Sequence, residues 1–400
     1  MELGILPAKT KSLSLFFLIT AIVLAAFNLR PAITSVGPLV GMIQEDVGLV
    51  HWSVGLLTSL PLIAFAIISP FVPKIASRLT NDRTLLLGLV VLLLGMGMRV
   101  FAVKFFLFSG TLFVGVGIAI LNVILPVIVK DKFPGKVPLM TSVYSTSMGV
   151  TASLASGLSI PLASGLNLGW KSTLIIWGIP VVIAVVIWCY VLKYNKGDQT
   201  KLNRVIPSDH RIWRSSLAWQ IALFMGFQSF LFYDIVAWLP AILNDKGVSM
   251  GTSGWLLSFT QFIGLPFSFI VPVMAGRFRS QQWIVIVLGL CSLAGFGGLW
   301  LDTSFPILIL CIVLLGIGLG GSFPLALTFI AIRARDVKQA AELSGMSQSI
   351  GYVLAAAGPL FIGYLYDLTH LWNPPLITLM LVTILLIFFG VYAGRDRYVY

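Results

Sequence analysis

Long stretches almost without charge follow one another from end to end of this chain. LLLGLVVLLLGMGM, FPILILCIVLLGIGLGG and PPLITLMLVTILLIFFGVYA are three of them. A run of about 20 apolar residues is what a helix needs to cross the hydrocarbon core of a bilayer. Of the 400 residues, 58% are hydrophobic and only 10% charged, with mean hydropathy +1.00. No soluble domain of that length has an interior large enough to hide so much apolar surface. The chain therefore reads as a polytopic, all-α membrane protein.

Hydropathy predicts twelve spans, near residues 13–40, 53–75, 84–103, 107–130, 138–163, 170–193, 215–243, 252–275, 281–300, 305–331, 338–366 and 372–393. The first, from MELGILPAKTKSLSLFFLITAIV onward, lacks a small-residue cleavage site and reads as a retained span. With the N-terminus inside, 21 of the 26 Lys and Arg fall in loops on one side. Lys104, Lys171 and Lys246 fall on the other side, and Arg30 and Arg99 lie within spans. Both termini are expected in the cytoplasm, and the protein in the cytoplasmic (inner) membrane. The net charge of +12 is spread over these short loops, so it predicts orientation and not nucleic-acid binding. Cys189, Cys291 and Cys311 lie in apolar runs, as buried thiols would. His51, His210 and His370 are far apart at loops, so no metal site is expected.

One polar linker of any length interrupts the spans, KYNKGDQTKLNRVIPSDHRIWR from Lys193 to Arg214. It divides the chain into a six-span unit over 1–192, a cytoplasmic linker over 193–214 and a second six-span unit over 215–400. The units resemble each other. At a shift of 199 residues, Gly55, Leu57, Ser59, Ser69, Val72, Pro73, Ala76 and Arg78 fall on Gly254, Leu256, Ser258, Ser268, Val271, Pro272, Ala275 and Arg277. Two pseudo-symmetric six-helix bundles are the mark of transporters that rock about a central site.

At this point particular segments match a known pattern. FNLRPAITSVGPL, GIAILNVILPVIVKDKFP, GLPFSFIVPVMAGR, GSFPLALTFIAIR and LSGMSQSIGYVLAAAGPLFIG resemble the cyanate-permease and nitroimidazole-transporter branch of the major facilitator superfamily. The usual loop motif between spans two and three is degenerate. PKIASRLTNDR keeps Arg78, Asp82 and Arg83 but has Ser77 where an acidic residue is usual. The resemblance implies the major facilitator fold and a secondary transporter of small polar or anionic solutes. It leaves the solute and the direction open.

Arg30 is the sharpest functional candidate. A permanent cation near the bilayer interior costs about 2.5–3.5 kcal/mol on insertion scales. Pro31 follows it directly, Asn28 precedes it, and the helix is expected to weaken there. Arg30 is expected to hold a substrate anion, against a structural ion pair or snorkelling as the bland account, with Asn28 shaping the pocket or capping the break. Asn122, Tyr144, Gln228, Gln261, Gln348 and Tyr352 offer donors and acceptors inside spans, and interhelical bonding is the competing account for them. Gln348 and Tyr352 stand one helical turn apart and can share a face. Trp238 belongs to the site or to the outer aromatic belt. Asp234 is the one acidic residue well inside a span, read as a proton-coupling group or as an ion-pair partner of Arg30. Arg99 is read as a snorkelling or ion-paired group near the outer end of span three, or as an attractor of anions. Ser145, Ser147 and Ser153 read as packing residues.

GIGLGGS at 316–322 lacks the strand and Lys of a phosphate cradle and reads as close helix packing. No cofactor is expected, and no enzyme: HExxH, GxSxG and clustered His or carboxylates are all missing from the sequence. The leading expectation is a secondary active transporter of a small polar or anionic solute, with proton coupling open. The alternative is an exporter of neutral or weakly basic aromatic compounds by proton antiport. A small-molecule substrate and membrane lipid are the expected partners. One chain supplies both halves, so a monomer is the simplest working unit.

Overall fold

The structure, a computed structural model, describes residues 8–49, 51–194, 210–301 and 304–399. Most of the expected linker lies outside the described residues. The rest is helix: α1 (Ala8–Phe27), α2 (Pro31–Thr34), α3 (Val36–Val47), α4 (His51–Ile68), α5 (Val72–Leu79), α6 (Asn81–Arg99), α7 (Lys104–Lys132), α8 (Val137–Ile160), α9 (Gly169–Ile176), α10 (Ile179–Tyr194), α11 (Ser216–Asp245), α12 (Met250–Ala275), α13 (Gln282–Leu301), α14 (Phe305–Arg333), α15 (Val337–Thr369) and α16 (Asn373–Ala393).

Among the described residues, eleven stretches are long and apolar enough to cross a membrane, each on one of the predicted spans. The remaining predicted span, 138–163, is the helix α8, which is rich in Ser and Thr. Several of its hydroxyls are satisfied within the helix: Ser147 donates to Val143 O at 2.7 Å, Thr151 to Ser147 O at 3.0 Å and Ser153 to Gly149 O at 3.0 Å. Such back-bonding removes the donor from an apolar setting, so a low-hydropathy helix remains compatible with the interior.

Where spans break, a proline stands at the break. Pro31 opens α2, Pro70 lies in the short 3-10 turn Ser69–Phe71, Pro73 stands at the start of α5, Pro161 opens a wide turn after α8, and Pro180 stands at the start of α10. Each lacks an N–H and clashes with the preceding turn. Elsewhere small residues bring helices together. A Cβ on Gly95 would lie 2.7 Å from Gly110 O, so α6 and α7 cross nearly backbone to backbone. Gly316, Gly318 and Gly320 do the same for α14 against α12 and α13, as the packing reading of GIGLGGS requires. The thiols divide: Cys311 is buried, Cys291 half-buried, and Cys189 exposed on the outer surface of α10, contrary to the expectation of three buried thiols.

The helices before residue 194 meet those after residue 210 along α4, α5, α7 and α8 on one side and α12, α14 and α15 on the other. Hydrogen bonds cross this boundary. Ser142 donates to Phe269 O at 2.7 Å, Ser145 to Ser268 O at 3.1 Å, Ser344 to Val123 O at 2.9 Å and Ser349 to Ala66 O at 2.6 Å. Lys130 Nζ caps the C-terminal end of α14, donating to Ala331 O at 2.7 Å and to Ala334 O. The Lys130 contact lies beside the loops that follow α7 and α14.

Candidate functional site

Between the two sets of helices lies a cavity enclosing about 890 Å³ not filled by protein atoms, part of it open to solvent. Its walls come from the α2 junction, α8, α11, α12, α14 and α15. Arg30 stands on the wall at the point where the first span is interrupted. Its backbone carbonyl accepts from Ile33 N and Thr34 N at 3.0 Å each, starting the four-residue helix α2. The guanidinium sits between two rings, Cζ being 5.1 Å from the centroids of both Phe232 and Phe323. Among the described residues no carboxylate pairs with it.

Gln228, Gln261 and Tyr352 share that cavity wall with Arg30. Gln228 Nε2 donates to Ser229 Oγ at 2.6 Å, leaving its carbonyl oxygen as an acceptor. Tyr352 packs on Phe65, ring centroids 4.5 Å apart, and its hydroxyl accepts from Asn122 Nδ2 at 3.1 Å. Asn122 is thus behind the wall and orients Tyr352 from the other half. Tyr144 is 1% exposed and off the wall, buried in the core between the helices.

Other candidates lie elsewhere. Gln348 does not reach the cavity with Tyr352. It is fully buried, and neither atom of its amide has a hydrogen-bond partner. Asn28 turns away from the cavity: Nδ2 donates to Leu24 O at 2.6 Å and to Pro180 O at 3.3 Å, tying the broken span to α10. Trp238 Nε1 donates to Pro359 O at 3.0 Å and its ring lies against Gly363 and Trp372, a packing role between α11 and α15.

Asp234 does not pair with Arg30. Its neighbours Tyr233, Ile235 and Val236 face the cavity, while its own side chain, 1% exposed, lies against Gly358. Neither carboxyl oxygen has a partner. Arg99 neither snorkels nor forms an ion pair. It is 2% exposed, and its donors go to Thr111 Oγ1 at 3.0 Å and to the backbone oxygen of Ala32.

Sequence reasoning missed Phe232, Tyr233 and Phe323, and it assigned Ser145 and Ser153 to packing although both line the cavity. The chain has 27 Phe, so a ring in an apolar helix carries no signal until a neighbouring charge is placed beside it. A wall of small residues, Gly149, Gly264, Gly316 and Gly320, leaves the space that the aromatic and charged groups surround.

The arrangement can hold an anionic or strongly polar solute beside one cation, with amide, hydroxyl and ring contacts around it. Comparison with known proteins agrees with a transporter. The chain is 46% identical to an uncharacterized transporter YycB of Bacillus subtilis (strain 168), over 98% of this chain and 96% of that one. It is 36% identical to a 2-nitroimidazole transporter of Escherichia coli (strain K12), over 95% and 96%. It is 26% identical to the cyanate transport protein CynX of the same strain, over 88% and 90%. The solved structure of the proton:xylose symporter XylE superposes with a TM-score of 0.78 at 11% identity, over 97% of this chain and 98% of that one, a likeness of fold. The family model described as Major Facilitator Superfamily matches residues 15–356. With its helices arranged about a central cavity and this match along most of its length, the chain belongs to the Major Facilitator Superfamily.

Proposed function

We propose that this membrane transporter carries a small polar or anionic solute, such as a cyanate-like ion, a carboxylate or a nitroimidazole, by alternating access through the cavity around Arg30. The observation that carries the reading is the guanidinium of Arg30, held between Phe232 and Phe323 without a carboxylate beside it. An uncompensated cation at membrane depth is costly, and an anionic solute offsets that cost when it binds. The paired rings favour a flat solute that can lie against them while its charge meets the guanidinium. Gln228, Gln261 and Tyr352 supply polar contacts on the same wall. The relatives named for 2-nitroimidazole and cyanate support a small, flat solute.

In this reading the bundles 1–192 and 215–400 rock about the cavity on the linker 193–214. Lys and Arg are concentrated in the loops on the side where Lys130 caps α14, so in this reading that side is cytoplasmic, with both termini, and the cavity opens to the other side. The membrane is the cytoplasmic one, and a single chain is the working unit. Asp234, a carboxyl with neither oxygen partnered, supplies a place for a coupled proton.

The second reading, export of neutral or weakly basic aromatic compounds, draws on the rings of Phe232, Tyr233 and Phe323 in the same walls. A thermal-shift comparison of wild type and Arg30→Ala against benzoate, acetate, cyanate and nitrogen heterocycles separates the two. Stabilisation by anions that vanishes in the variant is the expected result. Equal stabilisation of both proteins would refute the arginine-centred site, and stabilisation by neutral or cationic aromatics alone would favour export.

A further inference from the structure

Arg99 is a second arginine at membrane depth, and the cavity does not explain it. It is 2% exposed, and among the described residues no carboxylate pairs with it. Its partners are instead one hydroxyl and one backbone carbonyl, on two different elements. Nε donates to Thr111 Oγ1 on α7 at 3.0 Å, and Nη1 donates to Ala32 O in α2.

The surroundings fix both ends of this bridge. Gly95 and Gly110 let α6 and α7 touch, and a Cβ on Gly110 would lie 2.9 Å from Arg99 N. Thr111 therefore stands beside Arg99, and its own hydroxyl donates to Leu107 O at 2.7 Å, leaving the oxygen lone pairs to accept. At the other end α2 has only four residues, Pro31–Thr34, too few for a helix to hold itself. It needs neighbours. Thr34 Oγ1 donates to Ala152 O at 3.3 Å, Asn28 ties the preceding turn to Pro180, and Arg99 takes the carbonyl two residues beyond Arg30.

We infer that Arg99 is a positioning residue, whose forked guanidinium pins the α2 turn and thereby sets where Arg30 stands on the cavity wall. The inference rests on Arg30 being the solute contact. Arg99 itself does not line the cavity. A lysine keeps the charge but, as a single point of donation, does not span a hydroxyl on one helix and a carbonyl on another.

The test uses full-length protein in nanodiscs, with Arg99→Lys and the milder Thr111→Val. The first readout needs no solute: amide hydrogen exchange of a peptide covering residues 28–36, with α12 as the control. Exchange is expected to rise roughly tenfold in Arg99→Lys, less in Thr111→Val, and to stay unchanged in α12. The second readout is benzoate affinity in a double-mutant cycle with Arg30→Lys. Arg99→Lys is expected to weaken benzoate about tenfold when Arg30 is present and less than twofold when position 30 is already lysine. Unchanged exchange at 28–36 in both variants, or equal weakening in both backgrounds, would overturn the inference. Faster exchange in a protein whose wild type binds no benzoate would uphold the anchoring of the turn and refute benzoate-like solutes instead.

Discussion

In the proposed function, Arg30 and its two rings divide the work of recognition in a way that substitution can separate. Arg30→Ala is expected to weaken benzoate by about 30-fold or more, the roughly 2 kcal/mol of a charge-assisted contact in a partly dry site. Phe323→Leu is expected to leave acetate nearly unaffected while weakening benzoate several-fold, because only the flat solute loses a ring contact. Competition binding with both anions reads the two effects together. Away from the cavity, Asp46 accepts from Lys171 Nζ at 2.9 Å and from Trp170 Nε1 at 3.0 Å, and the lysine and then the indole hold its carboxyl below the usual carboxylate range. A carboxyl depressed on folding stabilises above its unfolded value, about 4, and that stabilisation is lost as pH falls through the folded value. The melting temperature of wild type should thus exceed that of Asp46→Asn at pH 7, with the gap closing below about pH 4. A gap that does not narrow at all as pH falls below about 4 would contradict the pairing. Arg30 was legible in the sequence because a charge inside an apolar run is conspicuous. Gln348 was misplaced for the opposite reason: on α15 it stands among Ser344, Ser347 and Ser349, so small polar residues on several faces blur which side a polar group takes, and one turn of separation from Tyr352 did not decide it.

At the scale of elements, proline and glycine mark where helices break and where they touch. The spans could be read from hydropathy, since the bilayer fixes their length. Their crossings could not, because in lipid small residues serve packing anywhere along a helix. The contact of α6 with α7 is the one on which the Arg30 turn indirectly depends. Gly95→Leu would drive its side chain into Gly110 O and the backbone of Val114, so the two helices must part. Overpacking of this kind typically costs about 1–3 kcal/mol. A melting temperature lowered by several degrees, together with weaker benzoate binding, is the expected outcome. Unchanged stability would mean that the helices do not cross at these glycines. The helix α8 shows the converse difficulty: its hydroxyls lower its hydropathy, yet back-bonding and bonds to α12 make them serve the interior.

The whole molecule brings together halves that meet along α4, α5, α7 and α8 on one side and α12, α14 and α15 on the other, with the cavity between them. That the halves repeat was visible in the sequence as a shift of 199 residues, whereas their mutual placement depends on contacts such as Lys130 with Ala334 and Asn122 with Tyr352, more than 200 positions apart. Such contacts have no local signature. The central claim is that Arg30 serves a solute carried across the membrane. It is tested most directly by counterflow of labelled benzoate into proteoliposomes preloaded with unlabelled benzoate. Wild type should accumulate label transiently above empty liposomes, and Arg30→Ala, reconstituted to the same density, should not. Equal counterflow in the two proteins would contradict the role assigned to Arg30.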